Sequence, residues 1–409
     1  MLISCLRNEI GGNVLAGRQR IPETDWRAIH ALAVRQGVAS VLYHAIREHA
    51  KKMEVPDDIL EQMKRDYLVT AGRNLLLYRE LEKLLVWFQA EAIPVVLLKG
   101  AHLAEWVYGN LALRQMADID LLISETNLGR VEQMMLRKGA VADKHNVVVL
   151  QQNCHLGFRL APYGLRVEIH WRLLMLPGQH EQDETTELWE RARPIALGRG
   201  AGLILAPEDL LLHLCLHSAK HGNEMDLRMI LDLAKVVHRY EAELDWQALT
   251  ERARDWNVAR AVYALLLIAR KWLQAEIPDD KLETLRPDDF DDRCLAAIER
   301  LIMAADHDPH SMAVSKTVAR IWAAHGLRAK FSLILQKMVI SPGIASVRRQ
   351  AEGGGCYRIY WWHYPIRIYR GFRVHGAILW HLLRGDKKAR AAAVQLNETS
   401  ELSDWLLSK

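Results

Sequence analysis

The first ninety residues alternate apolar and polar positions with a helical period. One helix is predicted over residues 24–37 and a second begins at Val38. A third, longer helix begins near Pro56, because proline fits the first turn of a helix and the two aspartates after it favour the positive end of the helix dipole. Its apolar positions keep the helical period to about Ala90. The chain is therefore expected to open with helices.

The pattern changes at residues 95–98, an uninterrupted apolar run between Pro94 and Gly100. Such a run is typical of a strand that is buried on both faces. Gly100 allows a sharp turn out of the strand, and residues 101–108 regain the helical period. The sequence thus predicts a strand, a glycine turn and a helix N-terminus, where free N–H groups and the helix dipole favour a phosphate.

A second short strand is predicted where Asp118-Ile119-Asp120 runs into apolar residues 121–123. Side chains alternate along a strand, so Asp118 and Asp120 share one face while Ile119 enters the core. Two carboxylates on one face repel each other and are tolerated mainly where a cation holds them together. Hard oxygen ligands of this kind suit Mg²⁺.

Two further strand candidates, residues 155–160 and 165–173, are joined by a turn signal at residues 161–164. In the second strand Glu168 and His170 alternate with apolar neighbours and share a face.

From residue 207 the pattern is helical again, with His213, His217 and His221 on one helix face. Histidines at this spacing can share zinc, although no glutamate stands between them as in His-Glu-x-x-His. Packing against the sheet, and contact of His217, Lys220 and His221 with a nucleotide or acceptor, also fit the pattern. Residues 278–291 are acidic and predict an exposed connection.

The composition of the chain limits the number of domains and the classes of protein that are possible. The 409 residues, of which 50% are hydrophobic and 25% charged, suffice for two or three domains. No apolar run approaches the roughly 20 residues of a membrane helix, so a cytoplasmic protein is expected. The five cysteines lack Cys-x-x-Cys spacing, which argues against a cysteine zinc site and a disulfide framework.

The net charge of +4 is unevenly distributed, because residues 326–390 are rich in lysine, arginine and aromatic side chains. A basic tail of this kind is compatible with an anionic partner, an anionic membrane surface or a nucleic-acid backbone. The sequence does not choose among these partners.

Leu-Leu-Lys-Gly-Ala at residues 97–101, followed by Leu-Arg-Gln-Met-Ala-Asp-Ile-Asp-Leu-Leu-Ile at residues 113–123, resembles the polymerase-β-like nucleotidyltransferase superfamily. Within it, the chain is similar to a bacterial family of uncharacterised nucleotidyltransferases. The similarity covers residues 25–270 and includes Val-Glu-Ile-His-Trp-Arg-Leu at residues 167–173 and Leu-His-Ser-Ala-Lys-His-Gly at residues 216–222. Ala101 stands where the superfamily usually has serine, so the phosphate contact that the resemblance implies for that hydroxyl is not expected to carry over, whereas the metal site is unaffected.

The resemblance implies an α+β fold, in which a small mixed β-sheet nucleotidyltransferase core is flanked by N-terminal and C-terminal helical domains. We expect an N-terminal helical region at residues 1–90, a catalytic core at 91–203, a helical domain at 204–340 and the basic, aromatic-rich tail at 341–409.

The resemblance also implies a site. Two-metal phosphoryl transfer usually needs a third carboxylate, and the second signature favours Glu168 over Glu105 or Asp143. Asp118, Asp120 and Glu168 would be the catalytic and metal-binding residues, holding two Mg²⁺ ions, with Mn²⁺ as a substitute. The residues expected to bind the nucleotide are Lys99, Gly100, Ala101, Arg114, His170, His217, Lys220 and His221.

The expected activity is transfer of an NMP, ATP being one NTP donor, to a hydroxyl of an acceptor in a biosynthetic reaction, with release of pyrophosphate. The acceptor, whether small molecule, peptide or glycan precursor, is not specified by the sequence. Two alternatives stay open. One is an Asp-x-Asp glycosyltransferase using a nucleotide-sugar, and the other is a non-catalytic module acting through its basic tail.

Overall fold

The computed structural model describes residues 1–10, 23–143, 154–173, 184–220, 225–304 and 386–408, together with positions 328, 380 and 384. The chain divides into two compact units. The first comprises residues 1–144, 152–306 and 406–409, and the second comprises residues 145–151 and 307–405.

The chain opens with helices, as predicted. They are α1 (Leu2–Arg7), α2 (Glu23–Arg35), α3 (Ala39–Ile46) and α4 (Asp57–Ala90). Helix α4 follows Pro56 and runs for 34 residues. The later half of its apolar stripe, including Leu81, Leu85 and Phe88, is completely buried in the core beneath the sheet. The later half of this long helix therefore packs against one face of the sheet.

In the part of the chain that the structure describes, seven strands form one mixed sheet. They are β1 (Val96–Leu97), β2 (Ile119–Leu122), β3 (Val141–Ala142), β4 (His155–Leu160), β5 (Leu165–His170), β6 (Arg193–Leu197) and β7 (Gly200–Ile204). Their order across the sheet is β3-β4-β5-β2-β1-β7-β6. Strand β2 pairs with β5 in parallel and with β1 antiparallel, and β1 pairs with β7 in parallel. The central strands are thus β5, β2, β1 and β7.

One face of the central strands is apolar. Ile119, Leu121, Val167 and Ile169 are completely buried and belong to the same core as the stripe of α4, as does Phe158 of the adjacent strand β4. Because side chains alternate along a strand, the residues between them lie on the opposite face. That opposite face carries the acidic residues and histidines of the site.

Helices connect and follow the strands. They are α5 (Lys99–Trp106), α6 (Leu128–Arg137), α7 (Glu184–Arg191), α8 (Pro207–Lys220), α9 (Leu227–Arg239), α10 (Trp246–Asp255), α11 (Ala259–Leu273), α12 (Asp279–Thr284) and α13 (Asp292–Ala304). Side chains of Asp226 and Asp245 cap α9 and α10 by accepting hydrogen bonds from Met229 N–H and Ala248 N–H, both at 3.0 Å.

The expected fold class is confirmed, since a mixed seven-stranded sheet lies among flanking helices. Residues 278–291 connect α11 to α13 and their acidic side chains are exposed, as expected, but the segment is not exposed throughout. They contain α12, and Leu282, Leu285 and Phe290 are buried. These three apolar side chains pack into the protein interior, whereas the acidic side chains between them are exposed to solvent.

Helix α14 (Lys387–Leu406) belongs to the second unit except for its last residue, which is assigned to the first. Most of the basic, aromatic-rich stretch of the tail lies outside the described residues, and the proposed four-part domain division stays a prediction. No helix of the described part is both long enough and apolar enough to cross a membrane.

Candidate active site

The turn between β1 and α5 brings Lys99 to the polar face of the sheet. Lys99 has a left-handed backbone, with φ of +44°, and its Nζ donates a hydrogen bond to Asp120 Oδ1 at 2.8 Å. The sharp turn was expected at Gly100, but the left-handed residue is Lys99. Gly100 is required for another reason, because a Cβ there would lie 2.7 Å from Met116 Cγ.

Asp120 and Glu168 are directly opposite each other in the parallel pair β2 and β5. In the neighbouring antiparallel pair, His155 of β4 is opposite His170 of β5. Residues opposite each other in these registers point to the same face, and Glu168 and His170 are two positions apart on one strand. The sheet register therefore collects two carboxylates and two imidazoles on its polar face.

Asp120 is the most strongly held acid of this group. It is 4% exposed, and its Oδ1 lies 2.8 Å from both Lys99 Nζ and His170 Nε2. Burial alone would raise the pKa of Asp120, but the charge of Lys99 and the hydrogen bond with His170 outweigh burial and lower it well below its usual range. In turn, burial would lower the pKa of Lys99, but Asp120 raises it. The two charges stabilise each other.

Glu168 is held by a second basic residue. Arg166 Nη2 lies 2.8 Å from Glu168 Oε1, while Glu168 Oε2 lies 3.6 Å from His170 Nε2 and 3.8 Å from His155 Nε2. Ligand-capable atoms of His155, Glu168 and His170 all lie within 4.8 Å of one another. Among the described residues this is the group of three whose spacing fits a metal ion, and it does not include the two aspartates.

Asp118 lies just before β2, and its pKa is shifted in the opposite direction from that of Asp120. Burial, followed by repulsion from Asp120 and Glu168, raises the pKa of Asp118 from 3.8 to about 6, and the opposing attraction of Lys99 and Arg166 is too small to prevent this. Neighbouring carboxylates disfavour the ionised form of Asp118, and a bound cation would stabilise that form. The three acids expected from the sequence thus interact with one another.

His170 is buried beside Asp120, and burial lowers its pKa despite the hydrogen bond to that carboxylate. Its ring is therefore neutral at neutral pH, which leaves Asp120 with the positive charge of Lys99 as its main compensation.

Arg114 is placed differently from the other predicted nucleotide ligands. Its Nε lies 2.7 and 2.9 Å from the two carboxylate oxygens of Asp232 on α9, and both side chains are buried. Tyr108 Oη also donates to Asp232 Oδ1, at 2.8 Å. The structure thus gives Arg114 a structural role, which ties the segment before β2 to α9. Its predicted contact with the nucleotide stays a prediction.

Ala101 and Gly100 begin α5 and are buried. The Ala101 N–H already donates to the Leu98 carbonyl oxygen at 3.1 Å, which makes it a poorer phosphate donor than expected.

The histidine face of α8 begins with His213, which is 2% exposed. Both of its ring nitrogens lack a hydrogen-bond partner within the described part of the chain. Burial, then repulsion from Lys99 and His170, lowers the pKa of His213 to about 3, so α8 lies within electrostatic range of the site. The rings of His213 and His217 are stacked with centroids 6.2 Å apart.

Lys220, at the end of α8, acts electrostatically on the Cys154 thiol just before β4. This places the end of α8 near the strand that carries His155. His221 lies outside the described residues, and the predicted nucleotide contacts of His217, Lys220 and His221 stay predictions.

His155 was not identified from the sequence as a site residue. The signal was available, because a four-residue turn at 161–164 pairs residue 160 with 165 and, five positions back, residue 155 with 170. Counting register through the turn would have placed His155 beside His170.

Comparisons with known proteins identify the family of this chain. The sequence model of a family described as uncharacterised nucleotidyltransferase matches residues 22–274. Among solved structures, the chain is similar to the crystal structure of an antigenic nucleotidyltransferase-like protein from Paracoccidioides brasiliensis, with 13% identity, a TM-score of 0.35, and coverage of 50% of this chain and 95% of that chain. The search of curated proteins gave no match. Since the family match spans more than half of the chain, this protein belongs to the uncharacterised nucleotidyltransferase family.

Proposed function

We propose that this protein is a metal-dependent nucleotidyltransferase that moves an NMP from an NTP to a hydroxyl of an acceptor. One observation carries the proposal. The parallel register of β2 and β5 sets Asp120 directly beside Glu168, and Lys99 from the turn before α5 reaches Asp120 at 2.8 Å. Three segments distant in sequence thereby supply acids and a cation to one face of the sheet.

The donor set fits a divalent cation. Asp118, Asp120 and Glu168 offer carboxylate oxygens, and burial followed by repulsion from Asp120 and Glu168 raises the pKa of Asp118 to about 6, so an added cation would favour its charged form. Asp118, Asp120 and Glu168 would hold Mg²⁺, or Mn²⁺ in its place. When bound, the ion would help the acceptor hydroxyl lose its proton and would neutralise charge on the leaving pyrophosphate.

Lys99 is the residue best placed to meet a triphosphate. Its ammonium lies at the edge of the carboxylate group, and its side chain keeps 17% exposure, compared with 5% for Asp120. It can therefore attract the negative β- and γ-phosphates while remaining near the carboxylates. His217 and Lys220 of α8 are proposed to contact the nucleotide or the acceptor from the helical side.

The reaction exchanges one bond to phosphorus for another. The acceptor oxygen forms a bond to the α-phosphorus, and the bond from that phosphorus to the bridging oxygen of the β-phosphate breaks. The electron pair of the broken bond leaves with pyrophosphate. The hydroxyl proton passes to Asp118, whose partly exposed carboxylate has a pKa near 6 in the free protein, or through it to water.

Incubation with α-labelled NTPs and a cell extract tests the proposal, because it reveals which molecule gains the label. We expect label transfer that needs a divalent cation and is lost in Asp118→Asn and Asp120→Asn. Glu105→Gln is the matched control, since Glu105 is an exposed acid on α5 outside the group. Full transfer by Asp118→Asn would contradict the proposal, and consumption of a labelled UDP-sugar in place of NTP would favour a glycosyltransferase.

A further inference from the structure

Two histidines meet a glutamate on the polar face of the sheet. His155 comes from β4, and Glu168 and His170 come from β5, so two paired strands supply all three side chains. One ligand-capable atom from each lies within 4.8 Å of the other two. Two imidazoles and one carboxylate form a ligand set that differs in chemistry from the aspartates nearby.

The distances are close to those of a coordinated ion. Glu168 Oε2 lies 3.6 Å from His170 Nε2 and 3.8 Å from His155 Nε2. Ligand atoms around a tetrahedral Zn²⁺ with bonds of about 2.0–2.1 Å stand roughly 3.3 Å apart. The two pairs that include Glu168 therefore need to close by only a few tenths of an ångström to share one ion, and the ligand atoms of His155 and His170 lie within 4.8 Å of each other.

The side chains are also oriented for a shared ligand. Arg166 occupies Glu168 Oε1 at 2.8 Å, which leaves Oε2 facing the two imidazoles. The rings of His155 and His170 are tilted by 49°, with centroids 5.2 Å apart. They are therefore inclined to each other and not stacked in parallel.

Burial limits competition from water. The side chains of Glu168 and His170 are 11% and 10% exposed, and His155 at 18% leaves a route of entry. A site formed by β-strand residues is held in place by the sheet and needs little ordering to bind.

We infer that His155, Glu168 and His170 form a binding site for a transition-metal ion of the Zn²⁺ class, with a fourth position open to water or a ligand. Imidazole nitrogen suits Zn²⁺ and its neighbours in the transition series, whereas Mg²⁺ prefers oxygen donors. Coordination through His170 Nε2 requires the neutral ring to carry its single proton on Nδ1 in place of Nε2, so the hydrogen bond from Nε2 to Asp120 Oδ1 is replaced by the bond to the metal.

The rival explanation is that both histidines only position carboxylates for another ion. It makes a different prediction, because removing His155 would then leave transition-metal affinity unchanged. The inferred site also needs no nucleotide and no transfer reaction. It shares Glu168 with the proposed Mg²⁺ site, but its test by transition-metal binding does not depend on transfer activity.

Titration of the purified, chelator-treated full-length protein with Co²⁺ tests the inference, since Co²⁺ reports its ligands through visible absorption. We expect one equivalent to give the intense bands of a four- or five-coordinate ion, Zn²⁺ to displace it and excess Mg²⁺ to leave it in place. Loss of an outer partner of a metal ligand costs about 10–100-fold in affinity, so His155→Ala and His170→Ala should cost at least about tenfold.

Two variants serve as matched controls. Glu105→Gln should keep the Co²⁺ bands, because this exposed acid of α5 lies outside the three-residue group, and His238→Ala should keep them because this exposed histidine of α9 lies outside the group too. Wild-type affinity in a folded His155→Ala protein would overturn the inference, as would displacement of Co²⁺ by equimolar Mg²⁺. If a variant fails to fold, X-ray absorption of the Zn²⁺-loaded wild type decides, since two imidazole ligands support the site and none excludes it.

Discussion

Asp120 and Glu168 lie directly opposite each other on parallel neighbouring strands, and each is neutralised by a different basic residue. Lys99 Nζ reaches Asp120 Oδ1 at 2.8 Å, and Arg166 Nη2 reaches Glu168 Oε1 at the same distance. Asp118, the third acid, has its pKa raised to about 6 despite both cations. The charge balance of this face therefore controls both the stability of the metal-free protein and its affinity for a cation.

Replacing Lys99 should destabilise the protein by leaving the charge of Asp120 buried without its main partner. Lys99→Met is expected to lower the free energy of unfolding by about 3 kcal/mol, the usual cost of removing one partner of a buried pair. Adding Asp120→Asn should recover most of that loss, because no charge then remains unpaired. Urea denaturation of the two single variants and the double variant measures the coupling. Additive losses would show that the two charges do not stabilise each other.

Asp118 and Asp120 should respond to the same substitution with opposite signs. The folded-state pKa of Asp118 is raised from 3.8 to about 6, so its ionisation costs stability as the pH rises through that window, and the full cost is present above it. Asp118→Asn should therefore stabilise the metal-free protein by on the order of 1–3 kcal/mol at about pH 8 and by little below about pH 4.

The pKa of Asp120 is lowered, so its charge stabilises the fold above its unfolded-state pKa, and Asp120→Asn should destabilise the protein at about pH 8. Thermal unfolding of both variants at the two pH values is the measurement. If both substitutions shift the melting temperature in the same direction, the electrostatic difference between the two aspartates is wrong.

Arg114 and Asp232 should behave as a structural pair. Because both side chains are buried and bonded to each other, Arg114→Met and Asp232→Asn are each expected to cost about 3–5 kcal/mol of unfolding free energy. Combining Arg114→Met with Asp232→Leu should recover part of that stability, because no charge remains unpaired but the Tyr108 hydroxyl loses its acceptor. The comparison also tests the predicted nucleotide contact, because a stable Arg114 variant with much weaker NTP binding would show that the guanidinium serves the ligand.

Two buried histidines should make the fold sensitive to acid. Burial lowers the pKa of His102 and of His213 from 6.5 to about 3, so the unfolded chain binds more protons than the folded one between these values. Their contribution is complete above about pH 6.5, and stability falls by up to about 1.4 kcal/mol per pH unit for each histidine as the pH drops.

Asp118 acts in the opposite direction between 3.8 and about 6, so the histidines are best tested in an Asp118→Asn background. There, His213→Gln should flatten the decline of unfolding free energy between about pH 6 and pH 4. His238→Gln, at an exposed position of α9, is the control. An unchanged slope in the His213 variant would mean that this ring is not held neutral by burial.

Long periodic segments were predictable from sequence. Helix α4 was expected from Pro56 to about Ala90 and spans Asp57–Ala90, because a proline, two acidic residues and an unbroken apolar stripe all indicate the same element. Strands β6 and β7 were missed. In the sequence, Gly200 and Gly202 suggest turns. In the structure they allow β7 to approach α4 closely, because a Cβ at Gly200 would lie 2.5 Å from Leu85 Cβ.

Those parts of the site that follow from the alternation of side chains along one strand could be predicted. Those that depend on which strands pair, and in which register, could not. Alternation placed Glu168 and His170 on one face, but nothing local shows that β2 pairs with β5 in the register that joins Asp120 to Glu168. The bond between Arg114 and Asp232 likewise joins segments far apart in the chain, and residue types alone do not reveal it.

The central claim is that Asp118, Asp120 and Glu168 form one site for a cation and a nucleotide. Calorimetric titration of the protein with a non-hydrolysable NTP analogue, with and without Mg²⁺, tests it without knowledge of the acceptor. We predict that the wild type and Glu105→Gln bind the analogue only when Mg²⁺ is present, and that folded Glu168→Gln binds it at least about tenfold more weakly. Equal Mg²⁺-dependent affinity in Glu168→Gln and wild type, or no metal-dependent binding by the wild type, would contradict the claim.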